Sequence, residues 1–249
     1  MRHIKEFGQL FENQQELTQE LTQEQKDWLD KCVFGKWWVN PQTGLVDVDR
    51  SFQCSGQGPG FNGVRFGHIR KNFNCSESRL SSLEGAPLSV GGDFSCSYNT
   101  LASLEGAPQS VGGDFYCGSN SLTSLEGAPQ RVGGNFFCSN SSLTSLEGAP
   151  QSVGGDFTCN YNQLASLKGA PQRVGGDYYL IGNTISDAIA SRVLRMMNDK
   201  KIQLEQAVSE LWNEIPEEDK IYLAKHNPNL SPQEKREYGA LERMKTRII

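Results

Sequence analysis

Residues 90–108 read Val-Gly-Gly-Asp-Phe-Ser-Cys-Ser-Tyr-Asn-Thr-Leu-Ala-Ser-Leu-Glu-Gly-Ala-Pro, and this pattern returns every 21 residues through the middle of the chain. The Leu-Glu-Gly-Ala-Pro segment occurs four times, and a fifth copy at 167–171 carries Lys168 instead of glutamate. The interval is marked by Cys54, Cys75, Cys96, Cys117, Cys138 and Cys159. A constant period of this length is typical of one small unit stacked on itself, so the sequence predicts a solenoid.

Alternation inside one unit separates an inward face from an outward face. Phe94 and Cys96 are two residues apart, so both side chains point to one face of a strand, while Asp93 and Ser95 point to the other. Neighbouring strands lie about 4.8 Å apart, so equivalent residues form columns and a continuous core that no single coil could bury alone. The inward columns contain Phe52, Phe73, Phe94, Phe115, Phe136, Phe157 and Tyr178; Val48, Ile69, Val90, Val111, Val132, Val153 and Val174; Leu80, Leu101, Leu122, Leu143, Leu164 and Ile185; and Leu83, Leu104, Leu125, Leu146 and Leu167.

Two further recurring features concern the backbone. An asparagine follows the strand in four coils, at Asn99, Asn120, Asn162 and Asn183. We expect these amides to bond buried backbone groups that have left the strand ladder. Ser78 and Ser141 replace asparagine in two coils, where we expect less local order. The Gly-Gly pair of each unit is expected to supply unusual backbone dihedral angles where the chain enters the strand.

The order Phe94-x-Cys96-x-x-Asn99-x-Leu101 resembles the L-x-L-x-x-N-x-L core of the leucine-rich-repeat family over residues of about 45–185. The short 21-residue unit is similar to repeats of bacterial and bacteriophage proteins. The resemblance implies an α+β leucine-rich-repeat solenoid with one parallel sheet on the concave face, an irregular convex side and helical caps at both ends. We expect an N-terminal helical cap over 1–44, a solenoid of about seven coils over 45–185 and a C-terminal helical region over 186–249.

The flanking segments carry helix signals. Thr22-Gln-Glu-Gln25 is a capping box, and Trp28 and Leu29 follow it at helical spacing, which predicts a helix that forms a hydrophobic lid over the first coil. Glycine is rare after residue 186, and four helices are predicted there. They should begin near Ser186, Leu204, Pro216 and Ser231. The first of them should seal the last coil with Ile189 and Val193.

Charge and composition exclude several classes of partner. The net charge of −5 offers no basic field for specific nucleic-acid binding. The sequence has no run of 18 apolar residues, so no membrane span is expected. The charged start, Met1-Arg2-His3-Ile4-Lys5-Glu6, is unlike a secretory signal, so seven cysteines predict a reducing compartment with free thiols. The expected location is cytoplasmic, in the host cytoplasm if a bacteriophage encodes the chain.

Catalytic and metal-binding signals are weak. His3, His68 and His226 are far apart in sequence and are expected at the surface. The Val-Gly-Gly-Asp turn precedes a strand, whereas phosphate-binding loops lead from a strand into a helix. The sequence lacks C-x-x-C, so the cysteine column is interpreted as small apolar residues that fill a narrow coil. We therefore expect no enzyme, no metal and no other cofactor.

The outward strand positions are the candidate functional surface because they have no role in the core. Aromatic side chains appear there toward the C-terminal half, and aromatic residues exposed on one face indicate a protein interface. The alternatives are a ring stack that only stabilises the sheet and a locally bonded ladder of aspartates. The candidate partner-binding residues are Tyr98, Tyr116, Phe137, Tyr161 and Tyr179, with Asp93, Asp114 and Asp156.

These observations predict a non-enzymatic module that binds another protein. The resemblance to bacteriophage repeats implies that the partner is a host protein, such as a defence factor that the chain inhibits. One alternative is a structural or virion-associated protein whose helical ends mediate assembly. Another is an enzymatic activity within the C-terminal helices. The sequence leaves the oligomeric state open.

Overall fold

The computed structural model describes residues 20–56, 58 and 60–245. Residues 1–19 of the expected N-terminal cap lie outside them. One helix precedes the repeats and the others follow them, and their order is that of the sequence prediction. The α-helices are α1 (Gln23–Cys32), α2 (Asp187–Lys200), α3 (Leu204–Leu211), α4 (Glu217–Leu223) and α5 (Pro232–Lys245), with short 3-10 turns at Trp212–Glu214 and Ala224–His226.

Two parallel sheets run the length of the repeats. We call them the Phe sheet and the Val sheet after the inward residue that each repeats. The parallel strands of the Phe sheet are Ser51–Gln53, Phe73–Asn74, Phe94–Ser95, Phe115–Tyr116, Phe136–Phe137, Phe157–Thr158 and Tyr178–Tyr179. Those of the Val sheet are Val46–Val48, Phe66–Ile69, Ser89–Val90, Ser110–Val111, Arg131–Val132, Ser152–Val153 and Arg173–Val174. The described chain thus makes about six turns of a parallel β-solenoid.

The expectation of one sheet and an irregular opposite side is wrong. Because every coil has the same length, the backbone at each position lies directly over its counterpart, at the Ser-Val segment as well as at the Phe segment. Gly112 N–H donates to Val90 O (2.9 Å) on one side, and Phe94 N–H donates to Asp114 O (2.9 Å) on the other. Both segments therefore pair along the stack in constant register, except for one register shift between Val46–Val48 and Phe66–Ile69 at its start.

The predicted apolar columns form the core. Every member of the Phe, Val and Leu columns is buried, and they belong to one continuous cluster that also contains the cysteines. The phenylalanine rings from Phe52 to Phe157 stack nearly parallel, with neighbouring centroids 4.6–5.6 Å apart. Stacking neighbours adds ring contacts to the burial of apolar area, which stabilises each coil on the next.

The asparagine column satisfies the backbone where the chain turns, as predicted. Asn99 Nδ2 donates to Cys75 O (3.1 Å) and Cys96 O (2.9 Å), while its Oδ1 accepts from Leu80 N–H (2.9 Å). The bonds join two coils through one buried amide. At the first serine coil, Ser78 Oγ donates to Cys54 O (3.0 Å), which replaces one asparagine bond. The expected loss of local order is therefore not seen at Ser78.

The Gly-Gly pairs allow the backbones of neighbouring coils to approach each other closely. They do not supply the unusual dihedral angles that the sequence predicted. Their φ angles lie outside the left-handed region. A Cβ at Gly133 would lie 2.1 Å from Gly112 O, and one at Gly154 would lie 2.0 Å from Gly133 O. Only glycine lets neighbouring coils approach to hydrogen-bonding distance here. The glycine of Leu-Glu-Gly-Ala-Pro does need a left-handed angle, with φ of 87° at Gly127.

The N-terminal segment closes one end of the stack. The predicted capping box is present, because Thr22 Oγ1 accepts from Gln25 N–H (3.2 Å) and Gln25 Oε1 accepts from Thr22 N–H (2.9 Å). Trp28 packs against Phe52, with centroids 5.4 Å apart, so α1 covers the first coil. Val33–Phe34 and Trp37–Val39 then add one antiparallel strand to each sheet.

The cysteines divide into one bonded pair and a free column. Cys32 at the end of α1 forms a disulfide with Cys54 of the first coil, with Cα atoms 5.3 Å apart. The prediction of free thiols throughout is therefore wrong for this pair. The spacing argument missed it because Cys32 belongs to the lid and has no place in the 21-residue period. Free and buried thiols are found at Cys75, Cys96, Cys117, Cys138 and Cys159.

The C-terminal helices close the other end. Val193 of α2 is buried and Ile189 is partly buried against the core, as expected for a helix that seals the last coil. Asn198 takes the place of a further strand: its Oδ1 accepts from Val174 N–H (3.1 Å) and its Nδ2 donates to Val174 O (2.9 Å). None of the helices that the structure describes is both long enough and apolar enough to cross a lipid bilayer.

Phe136→Ala tests the ring column. The substitution removes a fully buried ring that stacks on both neighbours, so we expect it to lower the free energy of unfolding by about 3–5 kcal/mol. Phe34→Ala, at a phenylalanine that is 61% exposed, is the matched control and should cost much less. Urea unfolding followed by circular dichroism measures both, and equal losses would contradict a core that depends on the stack.

Gly133→Ala tests the close approach of the coils. Its Cβ would lie 2.1 Å from Gly112 O, in a backbone that the bonds of Gly112 N–H and Gly113 N–H to the preceding coil hold in place, so we expect a loss of at least about 2 kcal/mol. This outweighs the smaller gain that Gly→Ala makes by restricting the unfolded chain. Ser110→Ala, at an exposed residue of the neighbouring strand, is the control. Thermal melting compares the two variants. If the Gly133→Ala protein were as stable as the control, the coils would have space for a side chain at this position.

Candidate protein-binding face

The aromatic candidates lie on the outward side of the Phe sheet and in the turn that follows it, but they form two kinds of contact. Tyr116 and Phe137 pair in register on neighbouring strands, and their rings stack with centroids 4.8 Å apart and planes 6° apart. Both are half-buried. Tyr116 also donates its hydroxyl to Asp114 Oδ2 (2.8 Å). This pair stabilises the sheet, as one of the sequence alternatives had it.

Tyr98 and Tyr161 are the most exposed aromatic candidates, at 66% and 60%. They occupy the same place in two coils, three steps of the stack apart, which corresponds to about 14 Å. Each has a left-handed backbone, with φ of 56° and 53°, in a column whose other members include Ser119 and Asn140. The backbone is held by the ladder, since Tyr161 N–H donates to Ile181 O (2.7 Å).

A cluster of exposed apolar side chains forms at the C-terminal end of the face. Tyr179 is 41% exposed and Ile181, two residues later in the same coil, is 50% exposed. The Tyr161 ring lies against Gly182, where an added Cβ would be 2.6 Å from Tyr161 Cδ1. Ile181 was not among the sequence candidates. Its signal was available, because Ile181 is the one branched apolar residue in a column that otherwise holds serine, glycine or asparagine.

The aspartate candidates form a ladder along the start of the strands. Asp93 Oδ1 accepts from Asp114 N–H (2.9 Å), and Asp114 Oδ1 accepts from Asn135 N–H (2.6 Å). Asp156 Oδ1 accepts from Asp177 N–H (2.8 Å). One oxygen of each carboxylate thus bonds the next coil, as in the local-ladder alternative. The second oxygens of Asp93 and Asp114 also accept bonds within the chain, from Asn72 Nδ2 (3.3 Å) and Tyr116 OH (2.8 Å), so contact with a partner stays a prediction.

The charge of this face has one sign. The outward positions are 93, 95, 97 and 98 and their equivalents in the four following coils, up to residue 182. They contain Asp93, Asp114, Asp156 and Asp177 but no lysine, arginine or histidine. Asp177 pairs with Arg195 of α2, with Nη2 and Oδ1 2.8 Å apart, at the last coil. The remaining carboxylates are half-buried. Partly buried charge is screened less than fully solvated charge, so the face presents a negative potential beside its tyrosines.

The free cysteines are placed as core residues. Burial raises the pKa of the Cys75, Cys117 and Cys138 thiols well above the ordinary value, so these sulfurs stay protonated at neutral pH. Among the described residues, no group of three His, Cys, Asp or Glu side chains is placed to hold a metal ion. The sequence interpretation of the column as packing is confirmed by its burial.

The histidines behave differently from one another. His68 is exposed, as expected, and His3 lies outside the described residues. His226 is only 8% exposed, so the prediction of a surface position is wrong for it. It is covered because the turn Ala224–His226 packs against the last coil, where its Nε2 lies 3.4 Å from Ser166 Oγ. Sequence spacing carried no sign of this contact.

The Tyr116–Asp114 bond predicts an altered titration. Partial burial, the hydrogen bond to Asp114 and the nearby carboxylate charges together raise the Tyr116 pKa to about 12. Because the folded chain favours the neutral phenol, Tyr116 contributes to the free energy of unfolding. This contribution is complete below about pH 10, the pKa of an unfolded tyrosine, and is lost as the pH rises through about 12. Asp114→Asn removes one charge and should lower the Tyr116 pKa, with burial keeping it above the ordinary value of about 10.

Nuclear magnetic resonance of ring-labelled tyrosine measures this titration, with Tyr116→Phe assigning the resonance. Asp156→Asn makes the same change beside Thr158 and should leave the Tyr116 pKa as it is in the unaltered chain. An unchanged Tyr116 titration in Asp114→Asn would show that the carboxylate does not influence the phenol.

A scan against protein-family models, a search of curated proteins and a search of solved structures found no match to this chain. What the face can bind therefore follows from its own side chains. It presents two exposed tyrosines at a fixed separation, an apolar cluster around Ile181 and a row of half-buried carboxylates.

Proposed function

We propose that this chain is a non-enzymatic protein-interaction module that holds its partner on the outward side of the Phe sheet. The contact surface is the tyrosine strip, which we define as Tyr98, Tyr161, Tyr179 and Ile181. Tyr116 and Phe137 support it as a stacked pair within the sheet. Tyrosine carries a large apolar area with few rotatable bonds, which is why it is frequent among residues that dominate binding energy.

The backbone of Tyr98 and Tyr161 supports this proposal most strongly. A bulky residue with a positive φ is uncommon and costs free energy relative to glycine or asparagine at the same place. Gly182 and Asn140 fill that place in other coils, so the fold does not require tyrosine there. Both side chains are nevertheless mostly exposed, although one side of the Tyr161 ring lies against Gly182 of the next coil. Binding to a partner would account for an exposed tyrosine at a position where other coils have glycine or asparagine.

The chemistry of the face favours a partner with arginine or lysine side chains. A guanidinium or ammonium group over a tyrosine ring gains a cation–π attraction, and a neighbouring carboxylate adds an ion pair. Asp156 offers the most accessible arrangement, because its Oδ2 has no partner among the described residues. The resemblance of the repeats to bacteriophage proteins adds that the partner is a host protein met in the cytoplasm and inhibited by binding.

A second candidate function is assembly through the N-terminal end of the solenoid. Phe34 is 61% exposed and Trp38 is 42% exposed, and both lie on the antiparallel strands that end the two sheets. Exposed apolar side chains on an edge strand are a common starting point for strand pairing between chains. This observation supports the structural or virion-associated role that the sequence left open.

Tyr98→Ser with Tyr161→Ser tests the binding proposal. Both changes fall on exposed side chains, so the fold should be kept, and loss of two aromatic anchors should weaken binding of a partner at least about 100-fold. The measurement is affinity capture from a host lysate with mass spectrometry, followed by titration of the recovered protein. Phe34→Ser with Trp38→Ser is the matched control, because it removes two exposed aromatic residues elsewhere.

A protein that is recovered with the unaltered chain and the control, and lost with the tyrosine variant, supports the tyrosine strip. Equal recovery by all three chains argues against it. Self-association is followed in parallel by sedimentation. Self-association of the unaltered chain that disappears only in the Phe34 and Trp38 variant favours the assembly role instead.

A further inference from the structure

The last coil and the C-terminal helices line a cavity of about 490 Å³, open to solvent on one side, that the protein-binding proposal does not use. Its apolar lining comes from Leu167 and Ala170 of the coil, Met197 of α2 and Leu204 of α3. A volume of this size lies within the range of sites that bind small organic molecules. The cavity therefore has the size of a ligand site, with a lining that is partly apolar and partly polar.

Cationic side chains line the cavity in a chain that is acidic overall. They are Lys168, Arg173 and Lys201. Lys168 Nζ is paired with Glu147 Oε1 at 2.6 Å. Within the part of the chain that the structure describes, the side chains of Arg173 and Lys201 make no ion pair. Two cations without an ion pair of their own thus line the cavity, together with the carboxylate of Glu205.

One of these cations departs from the repeat at the coil that meets the helices, and another occupies a column that holds both serine and arginine. Lys168 stands where the four preceding coils have glutamate, and Arg173 stands where Ser152 lies one coil earlier. Elsewhere in this column arginine occurs at Arg131, which does not line the cavity. The column accepts serine or arginine, and Arg173 is the arginine of this column that lines the cavity.

The polar wall opposite comes from the start of α3. Helix geometry leaves the first amides of a helix without an internal partner, and the N-cap residue Gln203 makes no side-chain capping bond. Glu205 also lines the cavity, with Oε1 3.8 Å from Nδ1 of the buried His226. Burial lowers the His226 pKa, so at neutral pH this ring adds no charge. The single carboxylate is outnumbered by the cations.

We propose that this cavity binds a small organic anion, with its acidic head group between Arg173 and Lys201 and a short apolar body against Leu167, Met197 and Leu204. Arginine pairs with carboxylate and phosphate groups through two parallel hydrogen bonds, and the uncapped amides of α3 add donors on the same side. Carboxylates and phosphate monoesters share this chemistry. The apolar lining requires that the head group carry a hydrocarbon or aromatic portion.

Isothermal titration of the full chain tests the proposal with three probes that share a ring: phenyl phosphate, benzoate and benzyl alcohol. The acids should bind saturably at millimolar concentration or below, and the neutral alcohol should bind more weakly. Arg173→Ser should weaken binding of the acids about tenfold, the effect of losing one charge-assisted hydrogen-bond partner. Arg131→Ser makes the same change two coils away and should leave binding unaltered.

Lys201→Asn provides a second measurement at a residue with φ of 55°, an angle that asparagine tolerates. It should weaken the same acids, and thermal melting checks that each variant is folded. Tighter binding of phenyl phosphate or of benzoate identifies the head group, and either order supports the site. Absence of binding by both acids, equal binding of the alcohol, or equal loss in Arg173→Ser and Arg131→Ser would overturn it.

Discussion

The hydrogen-bonded contact between one coil and the next is the interaction on which this molecule depends. A constant interval of 21 residues places each backbone group over its counterpart in the next coil. The Phe sheet and the Val sheet both form by this coil-to-coil pairing, at two different segments of each coil. The glycine pairs let the backbones approach, the phenylalanine rings fill the space inside, and Asn99 and its equivalents bond the backbone where the strand ends. A change in coil length would disturb all three at once.

The division of labour within a coil explains where function can reside. Inward residues are restricted by the stack, and the aspartate column that faces outward is half committed to it through bonds such as Asp114 N–H to Asp93 Oδ1. The side chains of the tyrosine strip neither fill the core nor take part in the aspartate ladder. The cavity beside α3 is likewise outside the repeat, because it exists only where the last coil meets another kind of structure. Both proposals thus concern places where the period is broken or left unused.

Much of the fold follows from the sequence because periodicity and capping are local signals. The buried columns, the capping box at Thr22 and the starts of the C-terminal helices needed only spacing and residue type. The second sheet was missed because two-residue strands such as Ser89–Val90 carry no alternation of their own. The Cys32–Cys54 pair, the burial of His226 and the cavity depend on how non-repeating segments pack against the solenoid. The 21-residue period does not predict that packing. On the candidate face, spacing gave the outward residues but not the difference between the Tyr116–Phe137 stack and the exposed Tyr98 and Tyr161.

The Asn198 amide has a consequence for the size of the particle. A parallel ladder that ended at Val174 with unpaired backbone groups would be a template for another molecule to continue the stack. Asn198 supplies one donor and one acceptor where an incoming strand would place them, so the backbone groups of Val174 at the end of the Val sheet are already paired. The two ends of the solenoid therefore differ: at one end Asn198 closes the Val sheet and α2 covers the last strand of the Phe sheet, while the other end has strands with exposed aromatic side chains.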